Sequence, residues 1–323
     1  MTRWDRTASL GPVAVGLACA LALYLAAPLA VTAQADAISP SKTRALALEP
    51  GGGTARAGAD GPAVTTLQVV SHNIEKRQRA LRKALRSARR TGATVVALQE
   101  LCGWQAADLV RAHPDWTVSY RPERDHVLCE RSGRRRGSAS DADRTIGNAV
   151  VWTGGSGGRS TAHTFSSQRS QPGRTGMPCV SWTARVVHTA CSVHLSAPVN
   201  GEQIRVRTGQ ARDVRDITRP WVRRGRLVVL AGDFNAEPHR RTMDHLYARG
   251  GSGSFREAGP NPARSPRCAC YEPTLDQRGV KIDYVFFSSN RVTPRTDRRL
   301  RVVPTVSDHD LLLGRADVDL APR

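Results

Sequence analysis

Six short apolar runs, each closed by a polar group, constrain this 323-residue chain more than any other feature. "ATVVALQE" (93–100) and "RLVVLAGDFN" (226–235) are nearly continuous in Val, Leu and Ala. Runs of that length without strict alternation belong to strands covered on both faces. "TLQVVSHNI" (66–74), "CVSWTARVVHTACSVHLS" (179–196, two strands bending near Val187-His188), "VKIDYVFFS" (280–288) and "DHDLLLGRADVDL" (308–320) extend the series, and "DWTVSY" (115–120) and "GNAVVWT" (147–153) add two more strands. Helical patterns lie between them. In "KRQRALRKALRSARR" (76–90), Ala80, Leu81, Ala84, Leu85 and Ala88 share one face. "EQIRVRTGQARDVRDITRPWVRR" reads as a helix as far as Pro220, and "PHRRTMDHLYAR" as a helix begun at Pro238. Residues 252–279 read mostly as loop. Strands and helices mixed in this way predict an α/β or α+β domain with buried sheets.

The fold is expected over residues 65–320. Ahead of it, residues 34–64 are rich in Ala, Gly and Pro without an apolar period, and read as a disordered linker. Residues 1–33 have a basic start at Arg3 and Arg6, an apolar middle and small residues at the end, the order of an export signal. Cleavage is expected after Ala33 or Ala37, and a retained membrane anchor is the alternative. Export makes the cysteines informative. Of seven, Cys19 lies in the signal, and the remaining six suit an oxidising compartment. Sequence order suggests Cys102 with Cys129 and Cys179 with Cys191. Cys268 and Cys270 complete the set, and the spacing does not suit a zinc site.

What closes the runs is unusual. Asn73, Glu100, His194, Asp233, Asn235, Asp283, Asp308 and His309 all fall at strand ends, and no core accepts such groups unpaired. Singly, each has a plain structural reading: a solvated acid, a satisfied histidine, a turn closing a strand. Repetition at six strand ends points instead to one site. Its chemistry suits phosphoester hydrolysis. Glu100 and Asp308 offer hard oxygen ligands for Mg²⁺ or Mn²⁺, with Ca²⁺ as a further candidate, and Asn73 adds an amide oxygen. A nucleophilic water needs a base, either Asp233 or His309 oriented by Asp283. Asn235 and His194 are placed to donate to phosphate oxygens.

"SHNI", "LQE", "GNAVVW", "VHLS", "GDFNAEP", "KIDYVF" and "SDHD", in that order over about residues 66–319, resemble the motifs of the endonuclease/exonuclease/phosphatase superfamily, the deoxyribonuclease I-like fold. The resemblance implies a four-layer α/β sandwich, two facing mixed sheets flanked by helices. It implies that Asn73, Glu100 and Asp308 surround the metal and that His309 is the catalytic histidine with Asp283 orienting it. Asp233 and Asn235 then align nucleophile and phosphate, with His194 as the second phosphate-side histidine. Asn148 matches an asparagine supporting these groups. The active-site tyrosine of several nucleases in the superfamily has no clear counterpart; Tyr120 and Tyr271 are candidates by position. Glu237 reads as a first-turn acid of the following helix.

The shared motifs do not choose among substrates. Charge does bear on that choice. Lys and Arg total 48 against 28 Asp and Glu, a net charge of +20 with a pI near 11.0. Such a surface attracts phosphate backbones. The loop around Arg134, Arg135 and Arg136 is the expected substrate contact, whereas Arg86–Arg90 read as a solvated helix face. Aromatic residues make up only 5% of the chain, which argues against base stacking as the main grip. No exposed aromatic hairpin suited to membrane docking is evident, "TFSS" at 164–167 being too short. The expectation is an extracellular, metal-dependent nuclease of weak sequence specificity, monomeric and without an obligate protein partner. A phospholipase or phosphatase acting on phospholipid or inositol phosphate is the alternative, and a non-catalytic nucleic-acid-binding module is the third reading.

Overall fold

The computed structural model describes residues 63–126, 129, 144–168, 175–197, 200–259, 271–275, 278–292 and 297–321. The export segment and nearly all of the linker, Arg134–Arg136, Cys268 and Cys270 lie outside these residues. Among the described residues no helix is long and apolar enough to cross a membrane.

Two six-stranded mixed sheets form the centre. In the first, strands run in the order β11(Arg298–Val303), β12(Leu311–Asp319), β1(Val64–Asn73), β2(Val95–Cys102), β4(Thr145–Trp152), β3(Thr117–Asp125). In the second the order is β5(Arg159–Thr164), β6(Gly176–Thr183), β7(Val187–His194), β8(Leu227–Asp233), β10(Asp283–Ser288), β9(Phe255–Glu257). Each sheet has one parallel pair at its middle, β1 with β2 and β7 with β8. Parallel neighbours need a crossover helix. Helix α1(Gln78–Thr91) links the first pair and α3(Gly201–Arg223) the second. Helices α2(Gly103–Ala112) and α4(Arg241–Asp244) follow β2 and β8.

The apolar runs behave as period-two strands covered on both faces. Leu227, Val229 and Ala231 of β8 join the inter-sheet core, whereas Val228 and Leu230 face outward with Ala211 and Val214 of α3. In β2, Val95 and Ala97 point inward, and Val96 and Leu98 pack with Ala80, Leu81 and Ala84 of α1. The order is therefore helix, sheet, sheet, helix: the expected four layers.

A polar bridge between buried side chains crosses the interior of the sandwich. Gln99 Nε2 of β2 donates to Ser192 Oγ of β7 at 2.8 Å, and Ser192 Oγ donates to Leu98 O at 3.1 Å. Both side chains are fully buried. The disulfides Cys102–Cys129 and Cys179–Cys191 are formed, as sequence order suggests. The second joins residues directly opposite each other in β6 and β7.

Several elements differ from expectation. Helix α3 continues three residues past Pro220; so near the end, the missing N–H removes one hydrogen bond and the helix does not break. The bend between β6 and β7 lies at 184–186 rather than 187–188. Helix α4 is a single turn, and the rest of the 238–249 segment is turns leading into Gly250 and Gly251. Glu237 therefore precedes that helix by four residues and is not a first-turn acid. It accepts from Arg240 at 2.9 Å and from Tyr271 at 3.3 Å. Phe165 of "TFSS" is fully buried and packs in the outer core of the second sheet.

Candidate active site

The topology brings the polar run ends together. Parallel pairs place Asn73 beside Gln99, next to Glu100, and His194 beside Asp233. The antiparallel partner β10 starts with Asp283 opposite Asp233. Strand β12 enters from Asp308 and His309 on the same side. One end of both sheets thus carries all eight residues. Glu100, His194, Asp233, Asn235, Asp308 and His309 line a single cleft of about 1040 Å³. Asn73 joins it through its amide, which donates to Asp233 Oδ2 at 3.3 Å and to Glu100 Oε1 at 3.5 Å.

Backbone strain marks the same place. Among the described residues, Glu75, Lys76, Glu100 and Asn235 are the non-glycine residues with φ between +47° and +62°. Each is at or beside the cleft, and such conformations persist where the surroundings over-determine them. Glu100 sits at the irregularity where β2 slips register against β4 between Leu98 and Leu101, and this re-aims its side chain. Gly232 has φ +148°, and a Cβ there would meet Val193 O at 1.9 Å. The glycine of "GDFN" lets β7 and β8 close up and bring His194 beside Asp233.

His309 Nδ1 lies 2.9 and 3.1 Å from the Asp283 carboxylate oxygens, and Thr274 Oγ1 donates to Asp283 Oδ2 at 2.7 Å. Asp283 therefore fixes the ring with Nδ1 as donor and directs Nε2 to the cleft. Asp233 Oδ2 is 3.6 Å from Nε2 of both His309 and His194. That distance exceeds a direct hydrogen bond and suits an intervening water or phosphate oxygen. Asp233 Oδ1 accepts the Asn235 N–H at 2.8 Å. Asn235 in turn donates its side-chain amide to Leu195 O at 2.9 Å, and its own carbonyl accepts from Arg207. His72, buried beneath, shares Nε2 between Thr305 Oγ1 and His309 O at 3.1 and 3.2 Å, bracing the His309 backbone.

Electrostatics divide the group. Asn73, Asp233 and Asp283 are at most 2% exposed and His309 is 7% exposed. Burial, then the Asp283 charge, raises the Asp233 carboxyl to about 6, against the pull of the two histidines. Burial works against protonation of His309, yet Asp283 and Asp233 overcome it and raise its pKa to about 10. Burial would raise Glu100 as well, but His194 and Lys76 outweigh it and hold the carboxylate below its usual range.

Asp233, Asp283 and His309 lie close enough to share an ion, but Asp283 and His309 are hydrogen-bonded to each other and Asp233 is held by Asn73 and Asn235. Glu100 and Asp308 line the cleft with carboxylate oxygens suited to a hard divalent ion, and the buried Asn73 amide lies beside Glu100, its Oδ1 accepting the Glu75 N–H at 3.2 Å. The anionic character of that spot is visible in what occupies it. Lys76 Nζ sits 2.6 Å from Glu100 Oε2.

Asn148 is fully buried in β4 and donates to Glu123 Oε1 at 2.6 Å. Burial raises the Glu123 carboxyl, against the opposing influence of His194. Neither tyrosine candidate reaches the reacting groups. Tyr120 OH bonds to Leu101 O and Thr145, and burial raises it to about 12. Tyr271 contacts only the rim, through Glu237.

Sequence reasoning missed Lys76, Glu123, Arg207 and Thr274. Thr274 falls in a stretch read as loop, and Lys76 and Arg207 look like ordinary members of basic helices. No local pattern distinguishes them.

The model of the Endonuclease/Exonuclease/phosphatase family matches residues 70–309. Among solved structures, an endonuclease/exonuclease/phosphatase from Beutenbergia cavernae is similar, with 18% identity, TM-score 0.54 and coverage of 78% of this chain and 72% of that one. The human nocturnin catalytic domain with bound sulfate is 14% identical, with TM-score 0.54 and coverage of 78% and 93%. D. rerio TDP2 complexed with a single-strand DNA product is 16% identical, with TM-score 0.54 and coverage of 79% and 99%. At these identities the likeness is one of fold. No curated protein matches the chain. The family match over residues 70–309, together with the paired sheets and the cleft between them, establishes that this chain belongs to the endonuclease/exonuclease/phosphatase family of metal-dependent phosphoester hydrolases.

Proposed function

We propose that this protein is an exported nuclease of weak sequence specificity, hydrolysing phosphodiester bonds of nucleic acid. The observation that carries the reading is the lining of the cleft, where six arginines accompany the polar cluster: Arg205, Arg207, Arg212, Arg240, Arg241 and Arg278. A lining so cationic and without Phe, Tyr or Trp suits a phosphate backbone better than bases or acyl chains. The net charge of +20 agrees. TDP2, of the same fold, has been captured with single-strand DNA. Export is supported by the basic–apolar–small order of residues 1–33 and by the two disulfides.

Asn73, Glu100 and Asp308 would hold a divalent ion, Mg²⁺ or Mn²⁺, which when bound would neutralise charge on the scissile phosphate and leaving oxygen. The chain's own groups do the rest. Asp233, on which Asn73, Asn235 and both imidazoles converge, accepts the proton of the attacking water. His309, held by Asp283, presents Nε2–H to a phosphate oxygen, and His194 does so from the other side. The pinned Asn235 backbone keeps Asp233 Oδ1 occupied, and Oδ2, held by the Asn73 amide, keeps a second lone pair for the water.

The test is a substrate panel: plasmid DNA, RNA, sphingomyelin and inositol phosphates, each with Mg²⁺, Mn²⁺, Ca²⁺ or EDTA. Nucleic-acid cleavage that EDTA abolishes, and that Glu100→Ala and His309→Ala lose, is expected. Cleavage of lipid or inositol phosphate without cleavage of nucleic acid refutes the nuclease reading.

A further inference from the structure

The cleft is much larger than one phosphodiester, and its excess wall is basic. Arg205 and Arg212 stand seven residues apart on α3, two turns along the same face, with Thr208 and Gly209 between them also lining the cleft. Arg241 begins α4, which packs on α3, and Arg278 faces them from the turn before β10. All four are exposed. Among the described residues no carboxylate lies within ion-pair distance of any of the four guanidinium groups. Arg240, by contrast, is already held by Glu237 at 2.9 Å.

One further observation points to an anion in this arm. Arg207 is 5% exposed and lines the cleft, and its Nε has no hydrogen-bond partner. Its guanidinium is anchored at one end only, on Asn235 O. Ala197 and Ile204, on either side of the N-cap Asn200 of α3, line the same space. Ile204 is 46% exposed and gives the wall an apolar patch on which a base can rest without being read.

We propose that this arm of the cleft is a track for one strand of nucleic acid, gripped through successive phosphates by Arg205, Arg212, Arg241 and Arg278. It deepens the phosphodiesterase reading of the same cleft and rests on it. Seven residues of helix span about 10 Å at ~1.5 Å per residue, enough to set the Arg205 and Arg212 guanidinium groups against separate phosphates of one strand. A concavity of about 1040 Å³ is at the upper end of ordinary ligand sites, room for a few nucleotides of single strand and not for a duplex. The acids and imidazoles at the strand ends then cut, and the arginines hold the strand leading to them.

The experiment measures binding of a fluorescein-labelled single strand of about 12 nucleotides by anisotropy in EDTA over a range of salt. The variant carries Arg205→Ser, Arg212→Ser, Arg241→Ser and Arg278→Ser together, all at exposed positions where substitution leaves folding intact. Removing one arginine–phosphate ion pair reduces the slope of log K against log salt by ~0.7 for single strands. The slope is therefore expected to flatten by about 2–3, and the single variants Arg205→Ser and Arg212→Ser to flatten it by their separate shares. Replacing all four by Lys should keep the slope. An unchanged slope in the quadruple Ser variant overturns the track, and so does a duplex of equal length bound as tightly as the single strand. Hydrolysis of a small synthetic phosphodiester by the unsubstituted protein checks the catalytic reading on its own. Its absence overturns that reading, whereas the salt slope decides the track.

Discussion

Lys76 is the group whose removal most directly tests how this site receives its metal. Its ammonium lies 2.6 Å from Glu100 Oε2, and the two side chains are only 15% and 26% exposed. The backbone holds it there. Lys76 has φ +62°, its N–H donates to Glu100 O at 3.0 Å, and its carbonyl accepts from the buried Gln105 amide at 3.2 Å. The pair is a charge-assisted hydrogen bond with modest screening, worth about 1.5–3 kcal/mol. A divalent ion that takes Glu100 as ligand must displace Lys76 or sit against its charge, so Lys76 lowers the apparent metal affinity by that amount. Lys76→Met keeps the stem and removes the charge. At ~1.4 kcal/mol per decade, Mg²⁺ and Mn²⁺ should bind about 10- to 100-fold more tightly, measured by titration calorimetry without substrate. The metal-free variant should melt lower, since Glu100 has lost its cation, and recover on adding Mg²⁺. In a Glu100→Gln background the Lys76→Met change should leave metal affinity unaltered, which isolates the pair. Metal affinity that is unchanged or weaker in the single variant refutes the competition.

Asp233→Asn should abolish hydrolysis yet raise stability above pH 6 by about 1–3 kcal/mol, because it removes a buried charge repelled by Asp283. The sign follows from the raised pKa: the carboxyl's favourable contribution is present below ~4 and lost as pH rises through about 6. The gain should therefore vanish near pH 4, and a lower denaturant midpoint at pH 8 would sink the idea. His309, raised to about 10, contributes stability that is complete below its ordinary 6.5 and lost as pH climbs through about 10. Wild-type unfolding midpoints should fall over that window, and Asp283→Asn should flatten the fall; an equal decline in both contradicts the pairing. Replacing Cys102 and Cys129 by Ser opens a loop of 27 residues and should lower stability by about 3 kcal/mol, read from chemical denaturation, with no change expected if the bridge is absent from the purified protein.

The strand ends were legible because each is a local event: an apolar run that stops at a carboxylate, amide or imidazole. Asp283 and His309, 26 residues apart, could be paired in advance because a catalytic imidazole needs an acid to orient it, and the family resemblance then gave Asp283 that role. What escaped notice depends on tertiary approach. Lys76 meets Glu100 only because the chain turns through two residues of positive φ after β1. Thr274 looks like loop because it joins no ladder; its hydroxyl serves Asp283 instead. Helix α2 was missed because its weak apolar stripe begins inside a Cys–Gln capping box rather than after a Ser or Asp. Strand β11 hid in a run of arginines, alternate ones lying on an edge strand with one face in solvent. The basic lining of the cleft is the clearest case. Counting arginine clusters favours 131–136, but the structure gathers single arginines from α3, α4 and a turn.

The Gln99–Ser192 bridge has a consequence beyond holding the interior together. Asn73, Glu100, Asp308 and His309 ride on one sheet, and His194, Asp233, Asn235 and Asp283 on the other. The reaction centre therefore exists only at one separation of the two sheets, and its geometry is a gauge of sandwich thickness. Substitutions among Val229, Ala231, Val285 and Leu312, all in the inter-sheet layer and far in sequence from some of the groups they position, should act on turnover before they act on melting. Hydrostatic pressure, which compresses voids before it unfolds a domain, would read the same dimension. On the proposed mechanism core volume bears on catalysis, and a thermostabilising redesign that thickens the interior by a methyl group would draw the two halves of the site apart.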